Sequence, residues 1–315
     1  MHEVVYIGSD EFSAAILEKL AESGKIAIKA VVTYPDSPKG RGHKLVPNPV
    51  KVVAQSKSFP VIEALDVASP ELHRKLRSLN VDIAILVSFK ILPKEFLAVF
   101  PKGIINLHPS LLPDLRGAAP VNWAIILGYE RTGLSTFLLE EKVDAGRILL
   151  QREITIGPDE TAGELYSKMI APGAEMLIES VYGYLDGSIK SIPQTGEPTN
   201  RAPKIRRAHR LIRWSKPAFE VHNLVRGLSP KPGALCVFSG KTVKILRTKV
   251  ITKSGKNEPG MVIPSKNKLI VGCGEGSLEI IQIQPEGGKI LSGEQFLRGY
   301  LKESISAKFE EIPEQ

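Results

Sequence analysis

The chain reads as an α/β protein, with a doubly wound, mostly parallel sheet in an N-terminal domain and a smaller antiparallel β-barrel domain of the OB type at the C-terminus. Three observations predict this. Short, continuously apolar runs alternate with amphipathic stretches through the first 150 residues, and strands apolar on both sides suit a parallel sheet covered on both faces. A polar stretch rich in Gly and Pro, GSIKSIPQTGEPTNRAPK (187–204), then breaks the pattern. Beyond it lie short apolar runs punctuated by turns, as in a small barrel. A chain of 315 residues also exceeds what one core ordinarily holds. The expected division is residues 1–187 for the first domain, 188–204 for a linker and 205–315 for the second.

Val4-Val5-Tyr6-Ile7 forms the first strand and stops at Gly8. Phe12, Ile16, Leu17 and Leu20 then share one face of a helix that Gly24 ends. Residues 28–33 form the second strand. The segment YPDSPKGRGHKLVPNP (34–49) is too long and polar for a plain connector, and loops of this size inside compact domains are usually functional or disordered. Ser69-Pro70 offers an N-cap and a first-turn proline to a helix carrying Leu72, Leu76 and Leu79. Residues 82–87 and 104–107 are further buried strands. A long helix is expected over 161–185, bent or interrupted at Pro172-Gly173. In the second domain a short helix covers 221–226, and strands cover 234–238, 242–249, 260–263, 268–271 and 278–284.

The net charge of +8 is unevenly spread. Residues 201–315 hold 21 Lys and Arg against 10 Glu and no Asp, a net +11, which leaves residues 1–200 at −3. A basic second part suits an enzyme that depends on nucleic acid, although a solvated charge run gives the same count. Arg201, Lys204, Arg206, Arg207, Arg210 and Arg213 cluster at its start. Lys241, Lys244, Arg247 and Lys249 follow at strand-like spacing, and strict alternation would set Lys244 on the face opposite the other three.

Two cysteines make neither a disulfide framework nor a metal-ligand pattern, so a reducing, cytoplasmic setting without a metal is expected. No export signal and no apolar run long enough to span a membrane is seen. The first strand ends in GSDEF rather than G-x-G-x-x-G, which argues against a dinucleotide site. With no long apolar edge and no heptad seam, the expected state is a monomer.

The segment GIINLHPSLLPDLRGAAPVNWAI (103–125) carries the chemistry. Alternation along a strand puts Asn106 and His108 on the same side at its carboxyl end. An amide donor beside an imidazole suits a reaction that develops an oxyanion. Asp144 lies in a glycine-bounded loop, from where its carboxylate could orient the imidazole and hold it charged. Each of the three residues could instead serve only local structure, Asp144 as a turn residue for instance.

NLHPSLLP (106–113) resembles the signature of the folate-dependent formyltransferase family, and RGAAP (116–120) resembles the form found in its methionyl-tRNA branch. GRGHKLVPNPVKVVA (40–54), VDAGRIL (143–149), RGLSPKPGA (226–234) and PEGGKILSGEQFLRG (285–299) are similar to further segments of that branch, so the likeness covers nearly the whole chain. It implies catalytic roles for Asn106, His108 and Asp144. It implies folate contacts from Ser110, Leu111, Leu112 and Pro113, and from Val87, Ser88, Phe89, Ile91 and Leu92. Arg41 matches the basic residue that enters the acceptor end of the tRNA, and Lys44, Lys204, Arg206 and Arg207 are expected to join it in binding tRNA. The co-substrate implied is 10-formyltetrahydrofolate, and the partner is methionyl-initiator tRNA. The chain departs from the family at GSDEF, at Ser88-Phe89-Lys90, at Asp114-Leu115 and at Arg147, none of which is a catalytic position. A formyltransferase acting on an amino sugar nucleotide or a purine precursor would share the same trio. A non-catalytic RNA- or folate-binding protein and a formylfolate hydrolase are the other readings.

Overall fold

The computed structural model describes residues 1–39, 44–252, 254–301 and 307–313. In chain order the first part contains β1 (His2–Gly8), α1 (Glu11–Ser23), β2 (Ile26–Thr33), β3 (Ser37–Lys39), β4 (Lys44–Val46), α2 (Pro49–Ser56) and β5 (Val61–Glu63). Next come α3 (Pro70–Arg77), β6 (Ile83–Val87), α4 (Lys94–Leu97), β7 (Ile104–His108), β8 (Arg116–Gly117) and α5 (Pro120–Ile126). Then follow β9 (Arg131–Leu138), β10 (Ile148–Thr155), α6 (Ala162–Asp186) and β11 (Arg201–Ala202). The remainder holds α7 (Ala218–Gly227), β12 (Ala234–Phe238), β13 (Lys241–Thr252), β14 (Val262–Ile263), β15 (Leu269–Gly272), β16 (Ser277–Pro285), β17 (Leu291–Ser292), α8 (Gly293–Tyr300) and β18 (Phe309–Glu310).

The chain divides into two compact units that interleave in sequence. The first comprises 1–117, 133–154 and 166–201; the second comprises 118–132, 155–165 and 202–315. The first unit is built on a seven-stranded sheet of order β10-β9-β7-β6-β1-β2-β5. Its β5, β2, β1, β6 and β7 are mutually parallel, and β9 runs antiparallel to β7. Successive side chains of a strand point to opposite faces. Val5, Ile7, Ala84 and Leu86 pack with Leu72 and Leu76 of α3 and Phe96 of α4. Tyr6 faces the other way, and its hydroxyl donates to Ser13 O of α1 at 2.6 Å. Both faces are thus covered, which is why these strands are apolar without a break. Asp10 caps α1 by accepting from Ser13 N at 2.8 Å, and Ser69 caps α3.

Of the bend or interruption expected at Pro172, no interruption occurs: α6 runs unbroken from Ala162 to Asp186. Its buried Leu165, Met169, Met176, Leu177 and Val181 hold it against the core, and packing outweighs the proline penalty. A side chain at Gly173 would meet Leu107 Cδ2 at 2.9 Å and Ile16 Cδ1 at 3.1 Å, so glycine permits this close approach.

In the second unit the antiparallel sheet runs β14-β15-β16-β13-β12-β18, with β17 on β16. Its two ends meet. Met261 bridges Lys308, Val262 N donates to Ala307 O at 2.8 Å, and Phe309 N donates to Gly260 O at 2.8 Å. The result is a nearly closed barrel around Trp214, Cys236, Ile245, Val271, Ile280, Phe296 and Phe309. Register shifts in β13 between Ile245 and Thr248 change the expected alternation. Ile245 and Thr248 both turn inward opposite Ile283 and Ile280. Lys244, Arg247 and Lys249, opposite Gln284, Gln282 and Glu279, share the outward side. Lys244 therefore does not lie opposite Arg247 and Lys249, as strict alternation implied.

The RGLSPKPGA segment anchors the interleaved pieces of this unit. Arg226, 6% exposed, donates to Gly157 O and Glu160 O, both at 3.1 Å, and to Asn223 Oδ1 at 2.9 Å. His222 is buried between Thr248 Oγ1 at 2.9 Å and Pro158 O at 3.1 Å, and burial pushes its pKa down. Asn122 Nδ2 donates to Gly227 O at 2.7 Å, and a Cβ at Gly227 would lie 2.7 Å from Ile126 Cγ1 and 3.0 Å from Asn122 O. Gly227→Ala should therefore lower stability by about 1–3 kcal/mol, seen as an earlier urea midpoint. An unchanged midpoint would show that this approach is not tight.

Candidate active site

The carboxyl ends of β1, β6 and β7 come together in the first unit, where ligands of doubly wound sheets bind. Ser9 Oγ donates to Ser88 O at 2.7 Å, tying the turn after β1 to the loop after β6. The serine of GSDEF thus has a bonding role, and Asp10 beside it has its carboxyl raised above the usual range, chiefly by burial.

Asn106 and His108 lie on the same face of β7, paired with Phe137 and Ser135 of β9. They are 8% and 5% exposed. The Asn106 amide forms no side-chain hydrogen bond with another described residue. A nearly buried amide at a strand end with both N–H groups uncommitted is poised to bind an oxygen. His108 Nε2 lies 3.1 Å from Leu115 O; a carbonyl only accepts, so Nε2 carries the hydrogen. Nδ1 faces Asp144 Oδ2 at 3.8 Å, which is ion-pair distance but beyond a hydrogen bond. Asp144 Oδ2 instead accepts from Gly117 N at 2.9 Å. The ring plane is thus set by the Leu115 carbonyl, and Asp144 lies beside Nδ1 without a hydrogen bond to it. Asp144 itself holds a left-handed backbone, φ 49°, as do Ser88 and Leu115. Such conformations in non-glycine residues persist only where neighbours hold them.

The 110–113 loop is suspended on side chains absent from the sequence reading. Ser135 Oγ donates to Ser110 O at 2.7 Å and accepts from Leu112 N at 3.0 Å and from Gln151 Nε2 at 2.9 Å. Gln151 also donates to Leu112 O at 2.8 Å, and Ser110 Oγ donates to Asp114 O at 2.7 Å. Ser135 is one of several polar residues in β9, RTGLSTFL, so nothing local in the sequence marked it out. Leu111 and Pro113 remain partly exposed, whereas Ser110 and Leu112 are buried, the latter against Phe137 and Ile148. In the 87–92 segment Ser88 and Phe89 are half-buried and Ile91 is exposed, while Val87 and Leu92 belong to the interior. Phe89 stacks on Tyr34, with ring centroids 4.4 Å apart. Lys90 extends over the Tyr34 ring at 5.4 Å, with its charge in solvent.

Arg41 lies outside the described residues, and Lys44 is described only by its backbone in β4. In the second unit Lys204, Arg206 and Arg207 are exposed. Arg210 is committed to Gly233 O and Pro232 O, and Arg247 to Glu164. Among the described residues no three His, Cys, Asp or Glu side chains group as metal ligands. No helix there is long and apolar enough to cross a membrane.

Residues 2–181 match the formyl transferase family, and residues 204–301 match the formyl transferase C-terminal domain. The chain belongs to the formyl transferase family. The NLHPSLLP pattern and Asp144 lie within the matched N-terminal region. The methionyl-tRNA formyltransferase of Geobacter metallireducens is 42% identical over 298 residues, covering 94% of this chain and 95% of that one. That of Thermodesulfovibrio yellowstonii is 42% identical over 297 residues, covering 94% and 95%. Among solved structures, an N-formyltransferase from Helicobacter canadensis, in complex with folinic acid and dTDP-3-aminofucose, superposes with a TM-score of 0.66 at 17% identity. The match covers 90% of this chain and 100% of that one. HypX from Aquifex aeolicus in complex with tetrahydrofolic acid gives a TM-score of 0.65 at 19% identity, covering 97% of this chain and 50% of that one. At such identities these structures establish the formyltransferase fold alone.

The suspended loop of this family member can be tested. Ser135→Ala strands Ser110 O and Leu112 N in the interior, each having lost its partner. It should cost about 1–3 kcal/mol of stability, measured by chemical denaturation. Wild-type stability would mean that the loop does not depend on Ser135.

Proposed function

We propose that the chain transfers the formyl group of 10-formyltetrahydrofolate to the α-amino group of methionyl-initiator tRNA, as a monomer in the cytoplasm. The observation that carries the reading is the uncommitted Asn106 amide beside His108 at the end of β7. Identity near 40% along almost the full length of enzymes bearing the methionyl-tRNA formyltransferase name supports the acceptor.

The α-amine of an aminoacyl group has a pKa of about 8 or below, so its neutral form is accessible at little cost. Its lone pair attacks the formyl carbon on N10, forming a C–N bond while the carbonyl electrons move to oxygen. Asn106 Nδ2 donates to that oxygen. Nδ1 of protonated His108 is the ring nitrogen left to donate there too, because Nε2–H is taken by Leu115 O. Asp144, 3.8 Å from Nδ1, stabilises the imidazolium by charge. As the oxyanion collapses, the C–N10 bond breaks and a proton passes from the attacking nitrogen to N10 through water. Ser88, Phe89 and Ile91 with Leu111 and Pro113 offer the accessible surface for the pterin. Val87, Leu92, Ser110 and Leu112 shape it from behind.

Lys204, Arg206 and Arg207, together with Lys44 and Arg41 of the basic loop, are assigned to tRNA phosphates. An acceptor the size of an amino sugar nucleotide would leave the net +11 of residues 201–315 without a counterpart. Sugar N-formyltransferases of known structure share 17–18% identity with this chain.

Removing one oxyanion donor costs roughly 2.7–4 kcal/mol in the barrier. Asn106→Ala should therefore slow formyl transfer on the order of 10²–10³-fold at saturating substrates. Turnover within a few-fold of wild type would remove Asn106 from the mechanism. Phosphate contacts release counterions on binding, so KM for methionyl-initiator tRNA should climb at least about tenfold between 50 and 200 mM salt, while KM for the folate stays level. A flat tRNA response would show that the basic residues do not grip the acceptor.

A further inference from the structure

Residues 191–200 were expected to be part of a linker between domains, yet in the first unit they are bonded to both loops that present the catalytic side chains. Ile192 bridges Ile148 in antiparallel fashion, and Arg147 Nη2 donates to Ser191 O at 2.6 Å. Gln194 is the centre of this contact. Its Nε2 donates to Asp144 O and to Gly146 O, each at 2.8 Å. Its Oε1 accepts from Arg116 Nε at 3.1 Å and Nη2 at 2.6 Å. Every bonding position of the amide is used, and the reverse orientation would set oxygen against two carbonyls and nitrogen against a cation. Six residues on, Asn200 N donates to Asp114 Oδ1 at 2.7 Å. Asn200 O accepts from Leu115 N at 2.9 Å, and Leu115 O is the acceptor for His108 Nε2.

We propose that Gln194 is a positioning residue for formyl transfer: it clamps the Asp144 loop between its amide and Arg116, and so fixes the Asp144 carboxylate against His108 Nδ1. The proposal rests on the catalytic reading of His108 and Asp144 given above. Three features support it. Asp144 occupies a left-handed backbone that a non-glycine residue keeps only under restraint. The two carbonyls gripped by Gln194 are those of Asp144 itself and of the glycine two residues on. The carboxylate reaches His108 without a hydrogen bond between them, so the His108–Asp144 distance is set by the loop together with the Gly117 N–H that donates to the carboxylate. Displacements near 1 Å at a reacting group cost up to about 10²-fold in rate.

The test is a double-mutant cycle under single-turnover conditions with enzyme in excess, using methionyl-initiator tRNA and 10-formyltetrahydrofolate. Wild type, Gln194→Ala, Asp144→Asn and the double variant are compared, with Gln194→Glu as a fifth protein. Failure of wild type to formylate would overturn the functional reading itself, independently of Gln194. Given wild-type activity, Gln194→Ala should slow the chemical step about 10–100-fold, with KM for folate and tRNA changed less than about threefold. In the Asp144→Asn background the same substitution should cost almost nothing more, because the group that Gln194 positions is already disabled. Gln194→Glu retains an acceptor for Arg116 but lacks both donors to the loop. It should still fold, seen as a cooperative thermal transition, and be at least as slow as Gln194→Ala. Multiplicative losses in the double variant, a loss confined to KM, or a wild-type rate in Gln194→Glu would each overturn the proposal.

Discussion

The constraint on which the rest of the structure depends is the burial of β7 between a parallel and an antiparallel neighbour. With β6 on one side and β9 on the other, its register cannot slip without turning every side chain to the wrong face. Leu107 faces the helical layer, where Gly173 leaves it room. Asn106 and His108 must then point together toward the opposite face, at the end where strand gives way to loop. The polar pair is thus held by apolar packing, and its desolvation is a consequence of the sheet order. An amide donor in such surroundings acts on a developing charge more strongly than it would in water.

Around that strand the site is held chiefly by backbone carbonyls and amides. Leu115 O sets the imidazole plane, Gly117 N holds the Asp144 carboxylate, and Ser135 supports the loop that begins at Ser110. Leu115 and Asp144 themselves adopt left-handed backbones. Strained loop residues of this kind need support from rigid elements. Here the support comes from β9 and β10 through Ser135 and Gln151, and from residues 191–200.

The second unit answers a different requirement. A barrel closed between Met261 and Lys308 has few open strand edges to pair with other chains. The shift in β13 turns Lys244, Arg247 and Lys249 to one outward side. Its cations fall into two kinds. Arg226 is buried and serves the fold, and Arg210 and Arg247 are tied to protein acceptors; Lys204, Arg206 and Arg207 remain in solvent. A count of charges by segment sees their sum and cannot tell the kinds apart.

The sequence alone determined the fold class, because continuous apolar runs such as 83–87 suit only strands covered on both faces. It also determined that Asn106 and His108 share a face, since alternation along a strand is local geometry. The NLHPSLLP pattern and Asp144 marked two loops, after β7 and between β9 and β10, that the structure brings within 3.8 Å of each other at His108. What tertiary structure decided was everything that links distant segments. The unbroken course of α6 through Pro172, the phase shift in β13 and the interleaving of 118–132 and 155–165 into the second unit each reflect packing that outweighs local preference. So does the attachment of Gln194 and Asn200, from a stretch with the composition of a linker, to the loops of His108 and Asp144. Composition reports how a segment behaves in water. The partners of its polar groups are chosen only when the chain has folded, because a hydrogen bond depends on where two groups meet rather than on which residues stand beside them in sequence.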